Sequence, residues 1–135
     1  TIKLSCDCPT ACAMHLFWYT QHLNGIPLVL SVRFFRTEAG KEPVREWLAD
    51  LDRDSRRIVG TDIKTVQIGW PIGMPVVRKL DAGLWEVRSE LSDTIARVIF
   101  TVVGSEMVLL HGFIKKSQKM PAADMNTARL RKARL

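Results

Sequence analysis

Residues 76–121 read VVRKLDAGLWEVRSELSDTIARVIFTVVGSEMVLLHGFIKKSQKMP, and this stretch decides the fold. Three β-forming runs lie in it: Leu84–Glu90, Ile95–Val103 and residues 107–114. Short turn segments around Ser92-Asp93 and Gly104-Ser105 separate them. Val, Ile, Phe and Trp fill the runs, as a pleated, half-buried surface favours. Spacers this short join antiparallel neighbours without a crossover helix. The expected product is an antiparallel meander of three strands, or of four if residues 76–80 form another before the Asp81-Ala82-Gly83 turn. It carries Arg88, Arg97, His111, Lys115 and Lys116. A platform of cations and one imidazole suits a polyanionic partner.

Upstream, residues 28–35 (LVLSVRFF) are long enough and apolar enough for one strand. Pro43 suits the first position of a helix. Val44, Trp47, Leu48 and Leu51 follow at i, i+3, i+4 and i+7, one apolar stripe. Residues 52–54 interrupt it and offer N-caps. A second helix is expected over residues 55–68, with Ile58, Val59, Ile63 and Val66 inward and Gly69 and Pro71 ending it. Residues 70–75 form a loop by composition. Downstream, Pro121 can open a last helix over residues 122–134. Its apolar stripe of Ala122, Met125, Ala128 and Ala133 is weak, and its end is basic. The order strand, helical hairpin, meander, terminal helix is an α+β pattern, with the helices on one sheet face and part of the other left available.

The 135 residues suit one domain, and 47% hydrophobic content supports a core. The domain is expected over residues 28–135, preceded by an extension of 27 residues with no sustained periodicity. A net charge of +6 favours acidic partners such as nucleic acid. Cys6, Cys8 and Cys12 crowd one end in odd number, so they are no disulfide framework. With His15 their spacing lacks the paired knuckles of usual zinc sites, so no metal or other cofactor is expected. No stretch approaches the roughly 20 apolar residues of a membrane span. Residues 11–19 make a poor signal peptide. A cytoplasmic location is the expectation that follows.

Four segments then carry a resemblance: PVREWLADL, WPIGMPVVRKLDAGLWEVR, ARVIF and VLLHGFIKKSQKMP. Over about residues 28–135 the chain resembles the RelE/HigB toxins of bacterial toxin–antitoxin systems, above all their phage-derived, host-growth-inhibiting branch. Its marks are Gly83-Leu84-Trp85-Glu86 with Arg88, and His111-Gly112-Phe113 with Lys115-Lys116-Ser117-Gln118-Lys119. The resemblance implies a small α+β endoribonuclease that needs no metal and cuts messenger RNA, often on the ribosome. It also implies a cognate antitoxin, commonly a helix-turn-helix protein. Some members of the wider superfamily poison gyrase instead, so the target stays open between cleavage and binding. A non-toxic, phage-derived RNA-binding protein that kept the fold is the third possibility.

Metal-free RNA cleavage needs a base for the ribose 2′-hydroxyl, an acid for the leaving oxygen, and cations for the phosphate. A positioned acid or base is worth roughly 10²–10⁴-fold. His111 can shuttle protons at neutral pH or be a hydrogen-bonded core histidine. By its position in the family pattern, Arg97 resembles the arginine that steadies the scissile phosphate. It can also pair with Glu86 or Glu90 across the sheet, since an unpaired buried arginine is very costly. Arg88 has the same two readings, and shares strand parity with Glu86. Lys115 shares parity with His111, which makes that pair the leading catalytic candidate, with Lys116 beside it. Arg88, Gln118, Lys119, Arg129, Arg131 and Lys132 are candidate RNA contacts, or else part of a solvated basic surface. No tyrosine follows Tyr19, so the tyrosine-dependent mechanism of some relatives does not transfer. Trp47, Trp70, Trp85 and Phe113 are assigned to the core.

Overall fold

The computed structural model describes residues 28–115 and 120–135, and of Lys115 the backbone alone. The expectations for residues 1–27, with Cys6, Cys8, Cys12 and His15, and for Lys116, Gln118 and Lys119 lie outside these residues. The elements run β1 (Ser31–Phe34), α1 (Pro43–Asp50), α2 (Arg53–Gly69), β2 (Val77–Asp81), β3 (Leu84–Glu90), β4 (Ile95–Val103), β5 (Glu106–Lys115) and α3 (Ala122–Ala133). The class is α+β, as expected. β3 and β4 have the bounds read from sequence. β5 is one residue longer at each end, and β1 is a four-residue core of the expected strand.

Strands β2 to β5 form a four-stranded antiparallel meander, and the sheet order is β1-β5-β4-β3-β2. β1 lies parallel to β5, with Ser31 opposite Glu106 and Phe34 opposite Leu109. This long-range parallel pairing leaves no local mark in the chain. Gln67 of α2 helps to hold it. Its carbonyl accepts from the amides of Val29 and Leu30, and its buried amide Nε2 donates to Leu30 O at 3.1 Å.

The hairpin helices cover one sheet face. Pro43 sits at the start of α1. The Asp52 carboxylate caps α2 by accepting from the Ser55 amide at 3.1 Å, satisfying one of the orphan donors of its first turn. Val44, Leu48, Val59, Ile63 and Val66 pack on Val87, Val98, Phe100 and Leu109. Trp70 meets Trp85 edge-on at 5.0 Å and Phe100 at 5.6 Å, so the aromatic residues of the loop and the meander finish this core. Gly112 lies under Trp47, and a Cβ there would fall inside the contact distance of the indole ring. Gly112→Val should therefore overpack this layer and cost about 1–3 kcal/mol, read as a lower denaturant midpoint at unchanged slope.

α3 corrects the expectation that the helices share one side: it packs on the opposite face. Met125 and Ala128 bury there against Phe35, Leu84, Ile99, Val108 and Leu110. Of its expected apolar stripe only these two are buried, while Ala122 and Ala133 stay exposed. Polar contacts supply the rest of the docking. The Arg129 guanidinium donates twice to Asp81 Oδ2, at 3.0 and 3.2 Å. Lys132 Nζ donates to Ala82 O at 3.1 Å. Gly83, with φ +70°, makes this possible twice over: it turns β2 into β3, and a Cβ there would stand 2.6 Å from Lys132 Nζ. Among the described residues no helix is long and apolar enough to cross a membrane.

Candidate active site

Three register rows cross the α3 face of the sheet. In the first, Ile95 of β4 pairs with Lys115 of β5. In the second, Arg88, Arg97 and Phe113 lie side by side on β3, β4 and β5. In the third, Glu86, Ile99 and His111 do the same. Residues two apart on one strand share a face, so Glu86, Arg88, Arg97 and His111 belong to one surface. Glu86 and His111 flank β4 with their backbones about 10 Å apart, two interstrand spacings.

A bulge puts His111 there. Ile99 pairs with His111, yet Phe100 pairs with Leu109, so Leu110 is the extra residue. An extra residue resets the alternation of the strand. Without it the apolar run Val108-Leu109-Leu110 would carry the imidazole to the helical-hairpin face.

Glu86 and Arg97 both have zero exposure. Their side chains approach to 3.5 Å, and Arg88 Nε stands 3.9 Å from the same Glu86 oxygen. Burial raises the carboxyl pKa of Glu86, and Arg97, then Arg78 and Arg88, pull it back down. Neither Glu86 oxygen completes a hydrogen bond of ordinary geometry. The carboxylate is thus held by charge more than by directed bonds, which leaves its lone pairs available for a proton. Of the two readings of Arg97, the ion pair with Glu86 is the arrangement seen.

His111 is engaged on both ring nitrogens. Nε2 lies 2.6 Å from Asp124 Oδ1 in the first turn of α3. Arg131 Nη1 donates to Leu110 O at 2.8 Å and lies 3.4 Å from His111 Nδ1. An N–H facing Nδ1 requires a lone pair there, so the network assigns the proton to Nε2, which donates to Asp124. Phe113 stacks on the imidazole at 5.5 Å. Burial lowers the pKa of Arg131, whose guanidinium also sits 5.7 Å over the Phe35 ring. Asp124→Ala removes the carboxylate from a partly buried ring N–H. It should cost about 1–3 kcal/mol, seen as a lower melting temperature.

The sequence candidates therefore divide. Arg88, Arg97 and His111 come together on one surface, and the backbone of Lys115 lies one row from Arg97. Arg129 and Lys132 bond at the surface to Asp81 and Ala82, and Arg131 is partly buried against Leu110 and His111. Lys116, Gln118 and Lys119 are among the residues not described. Sequence reading passed over Glu86 except as a salt-bridge partner, and it passed over Asp124. The signal for Glu86 was present: a carboxylate mid-strand, two residues from Arg88 and between apolar neighbours. Asp124 gave none, since an acidic residue in a first helical turn is ordinary. Among the described residues no three His, Cys, Asp or Glu side chains are grouped to hold a metal ion.

Residues 46–133 match the family described as Phage derived protein Gp49-like (DUF891). No curated protein matches the chain significantly.

Proposed function

Since the chain belongs to the Gp49-like phage-derived family, which is a RelE/HigB-like toxin family, we propose that it is the toxin of a type II toxin–antitoxin system and acts as a metal-independent messenger RNA endoribonuclease. One observation supports this most: a carboxylate of raised pKa, two arginines and a histidine share a single sheet face. RNA binding must first uncover Glu86, which has no exposure in the free protein, and its carboxylate then takes the proton of the 2′-hydroxyl. A general base works best when its pKa lies nearer the working pH than that of a free carboxylate. Arg88, which is partly exposed, then holds the charge that builds on the phosphate, and the buried Arg97 adds its field without touching the RNA. His111, once protonated on both ring nitrogens, gives the Nε2 proton to the leaving 5′-oxygen and is left as the neutral imidazole. Lys115 and Lys116 follow in the sequence and add positive charge, with Gln118 and Lys119 as further candidates for RNA contact. The net charge of +6 draws the polyanion in. The partners in this reading are messenger RNA, the ribosome that presents it, and a helix-turn-helix antitoxin that neutralises the toxin.

The closure of Glu86 and Arg97 favours a second reading, a toxin that binds gyrase or another assembly without cutting RNA. One experiment separates the two. Expression is induced without antitoxin and transcript 5′ ends are mapped. New ends in coding regions, abolished by His111→Ala in a variant that still melts cooperatively, are expected. Intact transcripts with a DNA-damage response would transfer the proposal to the second reading.

A further inference from the structure

A cleft of about 360 Å³ opens where β3 ends, β4 begins and α2 passes the sheet. Its apolar walls are Ile58 of α2, Pro75 and Val76 of the preceding loop, and Ile95 of β4. Its polar groups are Asp62 of α2 with Arg88 and Glu90 of β3. Arg88 belongs to this cleft and to the arginine row alike, because its Nε is 3.9 Å from Glu86. Whatever fills the cleft is therefore next to whatever meets that row.

The polar groups have a definite complement. Asp62 is half-buried, and burial together with the nearby Glu90 carboxylate raises its pKa. Ser89, 1% exposed, sits behind Asp62 and favours its ionised form, although the hydroxyl completes no hydrogen bond of ordinary geometry. Two carboxylates facing one space call for a ligand with hydrogen-bond donors and repel a phosphate. Arg88 beside them calls for acceptors.

We infer that this cleft takes the guanine base of the nucleotide next to the phosphate held by Arg88, and so sets where the RNA is cut. The inference rests on the ribonuclease reading above for its consequence, while the site itself can be tested without cleavage. Guanine alone among the four bases presents two adjacent donors, N1–H and N2–H₂, which match the two oxygens of one carboxylate. Adenine and cytosine place an acceptor beside their amino group, facing an anion. Uracil has one donor between two acceptors. Guanine also carries O6 and N7, the acceptor pair that arginine recognises. The aliphatic walls cover the faces of a planar ring, and unstacked RNA bases are commonly read in this way on their Watson–Crick edge.

The test uses the full chain with isoleucine methyl groups labelled, and GMP, AMP, CMP, UMP and inorganic phosphate as separate probes. GMP is expected to move the Ile58 and Ile95 methyl signals. Asp62→Asn is expected to weaken GMP by about 10-fold, the scale of one good bidentate base contact. Glu90→Gln, at an exposed position, provides a second variant should Asp62→Asn fail to fold. Equal shifts with all four nucleotides, or the same shifts with inorganic phosphate, would overturn the inference. So would stronger shifts with N-acetyl-arginine amide than with GMP, which would assign the cleft to a protein side chain. In the transcript map, Asp62→Asn should still cut but lose a guanine preference. A wild type that never cuts refutes the ribonuclease reading, and the nucleotide titration still decides the cleft.

Discussion

Arg97→Ala lowers the unfolding free energy by about 3–5 kcal/mol at neutral pH, the usual consequence of stripping one partner from a buried ion pair. The reason lies with the partner. Glu86 has no exposure and no hydrogen bond to either oxygen, so Arg97 at 3.5 Å is its nearest compensation. Arg88 at 3.9 Å remains and softens the loss. The effect should depend on pH in a defined direction. Burial raises the pKa of Glu86 above the value of the unfolded chain. The folded state thus holds this proton more tightly, and stability falls as pH rises from near 4.5 through the folded value. Removing Arg97 removes the largest influence opposing the rise. The destabilisation should therefore shrink below the acid end of that window and grow towards neutrality. Urea unfolding of both proteins between pH 4 and 8 measures it. The double variant Glu86→Gln with Arg97→Met takes away both charges, and it should recover most of the loss. A pH-independent deficit, or a double variant as unstable as the single one, would show that Glu86 does not carry the cost.

The same pair shows what could be read in the chain and what could not. Runs of β-branched and aromatic residues bounded by short turns marked β3 and β4 to the residue, although β4 is buried on both faces and shows no alternation. The apolar stripe of α1 and the inward Val59, Ile63 and Val66 of α2 were legible from the helical period, while Ile58, also expected inward, is only half-buried and lines the cleft. Arg97 stood out because an arginine between apolar neighbours must have an answer within the fold. Which answer could not be seen: the register sets Arg97 opposite Arg88, one step from Glu86 and from Glu90 alike, and only the side-chain approach of 3.5 Å selects Glu86. The parallel pairing of β1 with β5 was invisible, since its partners lie about 75 positions apart. The placement of α3 was hidden differently. Its apolar stripe is thin, and its docking depends on Arg129 with Asp81, Lys132 with Ala82, and Arg131 with Leu110. A basic run reads the same whether it faces solvent, RNA or its own fold. The bulge at Leu110 was beyond sequence reading too, because three consecutive apolar residues conceal where the alternation resets.

Glu86→Gln should reduce the rate of RNA cleavage by roughly 10²–10⁴-fold while leaving a folded protein, the range expected for loss of a positioned general base. The amide keeps the size of the side chain and an oxygen that can accept from Arg97, but it takes away the carboxylate charge facing Arg97, so the rate is compared per mole of folded protein. What disappears is the ability to take a proton. The wild-type rate should fall on the acid side as Glu86 protonates, at higher pH than for a free carboxylate because burial raises its pKa. The variant should show a low rate without that acid limb. A merely structural Glu86 would behave otherwise: its loss would lower the melting temperature and the amount of active protein, but the surviving fraction would keep the wild-type pH profile. His111→Ala tests the other end of the row by the same logic. A substrate with a better leaving group at the scissile 5′-oxygen should then lose less in His111→Ala than in Glu86→Gln, because an acid matters less when the leaving oxygen departs readily. Equal losses for both substrates would separate His111 from the leaving group and return it to its structural partners, Asp124 and Arg131.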